Sequence, residues 1–314
     1  MEKQQLIDEI LRIKKEKNAV ILAHNYQLPE IQDIADFVGD SLGLSQEAGR
    51  TKADLIVFCG VHFMAETASV ISPNKKVIIP DPEAGCSLAD SIKPEELKKW
   101  REENPNAVVV SYVNTTAEIK SLTDYCVTSS NAVKVVEAIP EDQEILFCPD
   151  RFLGNYVKAI TGRENMKVWQ GCCHVHEKIG DIELSKVAEK HPGADMLIHP
   201  ECGCSSSCML KSTMYEDCKN MKIFSTEGML KHVNESENDK FVIATEVGIL
   251  HRMKKENPGK EFFPVSDDSE CEYMKLVSLE NLLESLKEEK YIVKVPDELA
   301  EKAKIPIERM LEIV

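Results

Sequence analysis

The run Ala19-Val-Ile-Leu-Ala-His-Asn-Tyr26 returns 88 residues later as Ala107-Val-Val-Val-Ser-Tyr-Val-Asn114. It returns once more, 87 residues on, as Ala194-Asp-Met-Leu-Ile-His-Pro-Glu201. Each copy is an apolar stretch, as a strand buried on both faces requires, and each ends in polar residues. A period this long exceeds that of stacked solenoid repeats and suits small α/β domains. The chain therefore reads as three copies of one unit.

The neighbours of these runs repeat with them. Asp54–Cys59, Glu144–Cys148 and Phe241–Thr245 form a second strand in each copy. A third, at Val77–Ile79, Val168–Trp169 and Glu261–Pro264, leads each time to a cysteine: Cys86, Cys173 and Cys271, spaced by 87 and 98 residues. Helical spacing marks 3–16, 31–38, 44–51, 64–71, 131–139 and 229–233. Strands alternating with helices predict parallel sheets. The expected fold is thus three pseudo-threefold-related, Rossmann-like α/β domains, at 1–87, 88–174 and 175–275. Amphipathic helices at 276–286 and 296–313, with a turn at Ile305-Pro306, should pack back on the first domain as part of a C-terminal segment, 276–314. The third copy carries about ten extra residues in a Cys-rich insertion, 202–220.

A formal charge of −16 argues against nucleic-acid binding, which rests on cations at phosphates. It also means that any anionic substrate must be held by local devices such as helix N-termini. No apolar run approaches a membrane span, and the first residues lack signal-peptide character, so a cytoplasmic protein is expected. Eleven cysteines in such a setting should be reduced, and an odd count fits no complete disulfide framework. Cys59 and Cys148, inside apolar strands, read as buried small hydrophobes.

Three sets of residues carry candidate chemistry. Ligands in open α/β sheets gather beyond the carboxyl ends of the strands. There the first strands end in His24 and Tyr26, Tyr112 and Asn114, and His199 and Glu201, each pair spaced to face one way. Singly, such a residue is commonly a packing residue; recurrence in three copies favours a site. Ser41, Ser129 and Ser225-Thr226 precede helices, where they serve either as N-caps or as anion contacts at converging N-termini. Cys86, Cys173 and Cys271 suit a [4Fe–4S] cluster with one iron open, a zinc ion on three thiolates and water, or unrelated buried positions. Cys202, Cys204, Cys208 and Cys218 lack paired zinc-knuckle spacing. They read as a separate metal site, a reduced loop or a labile disulfide pair.

Together, Ala23-His-Asn-Tyr26, Gly39-Asp-Ser41, Cys59-Gly-Val-x-Phe-Met-Ala-Glu66, Pro80-Asp81 with Gly85-Cys86, Tyr112-Val-Asn114, Thr128-Ser-Ser-Asn131, Trp169-x-Gly-x-Cys-x-Val-His176, His199-Pro-Glu-Cys202 and Ser225-Thr226 resemble the quinolinate synthase family over nearly the whole chain. The resemblance implies three α/β domains around a central [4Fe–4S] cluster on Cys86, Cys173 and Cys271. It implies condensation of iminoaspartate with dihydroxyacetone phosphate to quinolinate, on the route to NAD. By position, His24, Ser41, Tyr112, Asn114, Ser129, His199, Glu201 and Thr226 match substrate contacts, Tyr26 an active-site tyrosine and His176 a histidine lining the site. Glu201 and His199, with His24, Tyr26 and Tyr112, are the implied proton-handling set. A hand-over from the iminoaspartate-producing enzyme is the implied partner. The rivals are the radical enzyme of diphthamide formation, which shares the three-cysteine logic, and a metal or redox protein without turnover.

Overall fold

The structure is a computed structural model that describes residues 2–214 and 220–313. Its strands are β1 (Ala19–His24), β2 (Phe37–Gly39), β3 (Leu55–Cys59), β4 (Lys76–Ile78), β5 (Val108–Tyr112), β6 (Tyr125–Val127), β7 (Ile145–Cys148), β8 (Met166–Val168), β9 (Asp195–Ile198), β10 (Met221–Ile223), β11 (Lys240–Ala244) and β12 (Glu261–Pro264). They form three four-stranded sheets with one shared order, β2-β1-β3-β4, β6-β5-β7-β8 and β10-β9-β11-β12. Every pairing within these sheets is parallel.

Alternation along the central strands decides what faces the middle of the molecule. Val20 and Leu22 of β1, Val110 of β5 and Leu197 of β9 belong to one core shared by all three sheets. Their neighbours Ile21 and Ala23, Val109, and Met196 and Ile198 face three smaller outer clusters. A period of two then carries His24, Tyr112 and His199 to the inner side, in line with Leu22, Val110 and Leu197. The polar strand ends are thus aimed by the same pattern that builds the core.

The short edge strands depart from the sequence reading. A helix over 31–38 was expected, but the helix is Pro29–Ile34, and Phe37 and Val38 belong to β2. Ala35 is already extended, and the Asp36 carboxylate accepts from the backbone N–H of Ile21 at 2.8 Å, pinning the chain beside β1. Asp124, 88 residues on, does the same for Val109 at 2.8 Å ahead of β6.

The C-terminal helices differ from expectation in two ways. Leu279–Glu288 does pack on the N-terminal helix Lys3–Glu16, against the first sheet. Asp297–Glu312, however, lies mainly against Ala117–Lys120 and β6 of the second unit. It also runs through Pro306 without a turn. Pro306, Ala303, Ile307 and Met310 are all buried, and that shared face outweighs the roughly 3 kcal/mol that an interior proline costs. Among the described residues no helix is long and apolar enough to cross a membrane.

The insertion contains the helix Ser205–Met214. Cys202, Cys204 and Cys208 are free thiols buried in the outer cluster of the third sheet, beside Ile198 and Val242. They serve as small hydrophobes there. Cys218 lies outside the described residues.

Candidate active site

The ends of β1, β5 and β9 open into one cavity of roughly 710 Å³, measured with its open mouth. Its wall includes His24, Tyr26, Ser41, Tyr112, Asn114, Ser129, His176, His199, Glu201 and Thr226, together with Cys86, Cys173 and Cys271. Of the candidate catalytic, substrate and cluster residues read from sequence, all of them among the described residues, Ser225 alone does not line it. Its hydroxyl accepts from the Gly228 N–H at 3.2 Å, as the N-cap of Thr226–Glu235.

His24 and His199 are oriented alike. Nδ1 of His24 accepts from the backbone N–H of Tyr26 at 3.2 Å, and Nδ1 of His199 from that of Glu201 at 3.5 Å. Each ring thereby keeps its proton on Nε2. Burial holds both imidazoles neutral: His24 falls to about 3 and His199 well below its ordinary value. His176, also buried, falls to about 3, so its approach to Glu201 at 3.7 Å is not an ion pair.

Glu201 sits among these neutral rings, only 3% exposed, which decides its chemistry. Burial raises its carboxyl to about 7, against the opposing effect of a hydrogen bond from the Tyr112 hydroxyl. The Tyr26 hydroxyl bonds with Thr245 Oγ1 at 2.6 Å and lies 3.4 Å from His176 Nε2. Burial and the Glu201 charge push both tyrosines well above the ordinary phenol range, so both are proton donors.

Capping does not account for Ser41. Asp40 caps the helix Ser41–Arg50, accepting from Gly43 N–H at 2.8 Å, and Ser41 is its first residue. The Ser41 and Ser129 hydroxyls make no hydrogen bond among the described residues. Thr226 opens its own helix, and its hydroxyl accepts from Asn25 at 3.2 Å. Asn114 Oδ1 is buried in the cavity wall without a partner among the described residues, an acceptor available to a ligand. Among the described residues no Lys or Arg lines the cavity. An anion there would meet hydroxyls and the N-termini of Ser41–Arg50 and Thr226–Glu235.

Cys86, Cys173 and Cys271 reach the cavity from three separate loops, half-buried and free of disulfides. Among the described residues they are not gathered within 4.8 Å of one another, as thiolates around a single zinc would be. A cubane, whose cysteines sit on different irons, takes a wider set. The donor set fits such a cluster.

Sequence reasoning missed several wall residues. Ser87, His174 and Tyr273 follow the three cysteines, and Ser87 Oγ lies 2.7 Å from His174 Nδ1. Glu246 is fully buried beyond β11 and accepts from the N–H of Cys271 at 3.1 Å and from Lys275 Nζ at 2.7 Å. Its place two residues past the second central strand, matched by buried Asp150 after β7, was the available signal.

Comparison with known proteins places this geometry in a family. Residues 8–312 match the family described as Quinolinate synthetase A protein (NadA). A quinolinate synthase of Pyrobaculum aerophilum is 55% identical over 307 residues, covering 98% of this chain and 99% of its own. One of Thermus thermophilus is 54% identical over 313 residues, covering 100% and 99%. One of Mycobacterium leprae is 51% identical over 311 residues, covering 99% of this chain and 88% of its own. With a match running nearly end to end and one cavity collecting the residues of all three repeats, the chain belongs to the quinolinate synthase family of enzymes.

Proposed function

We propose that the cavity condenses iminoaspartate with dihydroxyacetone phosphate to quinolinate, releasing phosphate and water, as a step toward NAD. The observation that carries this reading is the convergence of Cys86, Cys173 and Cys271 with Glu201, Tyr112 and the Ser41, Ser129 and Thr226 hydroxyls on one wall. Family membership sets aside the diphthamide-type enzyme and the protein without turnover.

Cys86, Cys173 and Cys271 would hold the [4Fe–4S] cluster, which when bound supplies an open iron as a Lewis acid for a substrate hydroxyl. The chain's own groups do the rest. Ser41, Ser129 and Thr226, at or near helix starts, take the carboxylates and phosphate. Asn114 Oδ1 accepts from the substrate nitrogen or a hydroxyl. Glu201 accepts a proton from carbon, and Tyr112, already bonded to it, returns one to the leaving oxygen. His24 and His199 present Nε2–H to developing oxyanions, and Tyr26 is held for a similar role by Thr245. The domain borders follow the cysteines, at 87/88 and 174/175, and the unstable imine is received directly from the enzyme that makes it.

The test is anaerobic isolation followed by addition of a hydroxyl- or thiol-bearing dicarboxylate. A brown protein with about four irons per chain, whose spectrum shifts with the ligand, supports the reading. A colourless protein after iron–sulfide reconstitution, or a spectrum no ligand moves, contradicts it.

A further inference from the structure

We propose that the cluster-free chain has a second metal-binding mode in this cavity: a single zinc ion on Cys173, His176 and Glu201. The inference rests on these three side chains and does not depend on the enzymatic reading.

Among the described residues, these are the one group of three metal-ligating types whose donor atoms lie within 4.8 Å of one another. His176 Nδ1 lies 3.3 Å from Cys173 Sγ and 3.7 Å from Glu201 Oε2. Tetrahedral zinc with ordinary bond lengths sets its ligand atoms about 3.4–3.6 Å apart. Both separations from His176 are within a few tenths of an ångström of that spacing, and Cys173 Sγ and the Glu201 oxygen lie within 4.8 Å of each other. Cys173 and His176 also stand three residues apart, on a loop that enters the short 3-10 turn His176–Lys178.

The outer contacts are those a metal site needs. His176 Nε2 lies 3.1 Å from Thr245 Oγ1, which fixes the ring and leaves Nδ1 as the metal-facing atom. Glu201 keeps Oε2 toward His176 while Oε1 accepts from Tyr112. One thiolate, one carboxylate and a neutral imidazole exactly offset a divalent charge, so the complex suits a buried site without a nearby cation. All three side chains line the cavity, which would supply water as the fourth ligand.

Such an ion would take one of the three cysteines that the cluster needs, and zinc would compete with cluster assembly. The probe is Co2+ added anaerobically to the cluster-free full chain, followed by zinc displacement. The expected result is the visible spectrum of a tetrahedral centre with one thiolate-to-cobalt band. Cys86→Ser and Cys271→Ser should retain it, and Cys173→Ser should lose the thiolate band. His176→Gln and Glu201→Gln should each weaken affinity at least about a hundredfold. Thr245→Val, which keeps all ligands, should weaken it by roughly tenfold, a graded loss that misfolding would not give. Zinc added before iron and sulfide should slow cluster formation in the parent chain and not in His176→Gln. Dependence of the cobalt spectrum on Cys86 or Cys271, or six-coordinate cobalt without a thiolate band, would overturn the proposal.

Discussion

The Tyr112 hydroxyl donates to Oε1 of Glu201, joining the second and third repeats across the cavity. Because burial raises this carboxyl to about 7, the group stands ready to take and return a proton near neutrality. Glu201→Gln should lower turnover on the order of a hundredfold or more, with dicarboxylate affinity and iron content little changed. Below pH 7 the carboxyl of the free enzyme is protonated and cannot act as a base, so kcat/KM should rise with pH through about 7. That limb should vanish in Glu201→Gln. In Tyr112→Phe, which removes the bond favouring the ionised form, it should move to higher pH. Steady-state quinolinate formation against pH reads all three.

Cys86→Ala, Cys173→Ala and Cys271→Ala should each abolish iron retention, because two thiolates hold a cubane poorly. Cys202→Ala, Cys204→Ala and Cys208→Ala should leave iron intact, since these thiols lie in the outer apolar cluster of the third sheet. Cys172 donates to Glu177 Oε2 at 3.1 Å, so Cys172→Ala should also keep the iron. Iron analysis of the reconstituted variants decides. Loss of iron in Cys172→Ala with retention in Cys173→Ala would shift the ligand by one residue.

Anion contacts and helix caps fall on adjacent residues and can be separated. Ser41→Ala and Ser129→Ala should weaken a dicarboxylate by roughly tenfold each, as expected for a hydrogen bond to a charged group, with little change in stability. Ser225→Ala should do the opposite, lowering stability by about 1 kcal/mol through the lost cap and leaving affinity nearly unchanged. Calorimetric binding and denaturant unfolding on the same three variants test the division.

Much of this architecture was legible because strands buried on both faces leave unbroken apolar runs. Ala19–His24 and its copies announced the repeat, and Leu22 to His24 is one step of the strand period. The three-residue edge strands were not legible. Phe37-Val-Gly39 carries no period of its own and is held by Asp36 reaching Ile21, a contact between elements. Pro306 misled for a similar reason, since the buried face that keeps its helix whole is supplied by the second unit. Ser41 could be read either as a cap or as an anion contact because capping types stand side by side, and only geometry assigns the cap to Asp40. Glu246 escaped notice because its partners Cys271 and Lys275 are brought to it only by the fold.

Lys275 offers the clearest stability test. Its ammonium lies 2.7 Å from Glu246 Oε1, and that carboxylate has no exposed side-chain surface. Lys275→Met would leave a buried charge without its cation and should cost roughly 3–5 kcal/mol. Denaturant unfolding of the cluster-free chain measures it. A loss below about 1 kcal/mol would mean that the N–H groups of Gly248 and Cys271 suffice to hold the carboxylate.

The most direct measurement is product formation by the anaerobically reconstituted chain, given dihydroxyacetone phosphate and iminoaspartate generated in the same vessel. The account predicts quinolinate and phosphate in equal amounts, dependent on both substrates and lost in Cys173→Ala. Phosphate release without quinolinate, or quinolinate formed equally well by Cys173→Ala, would contradict it.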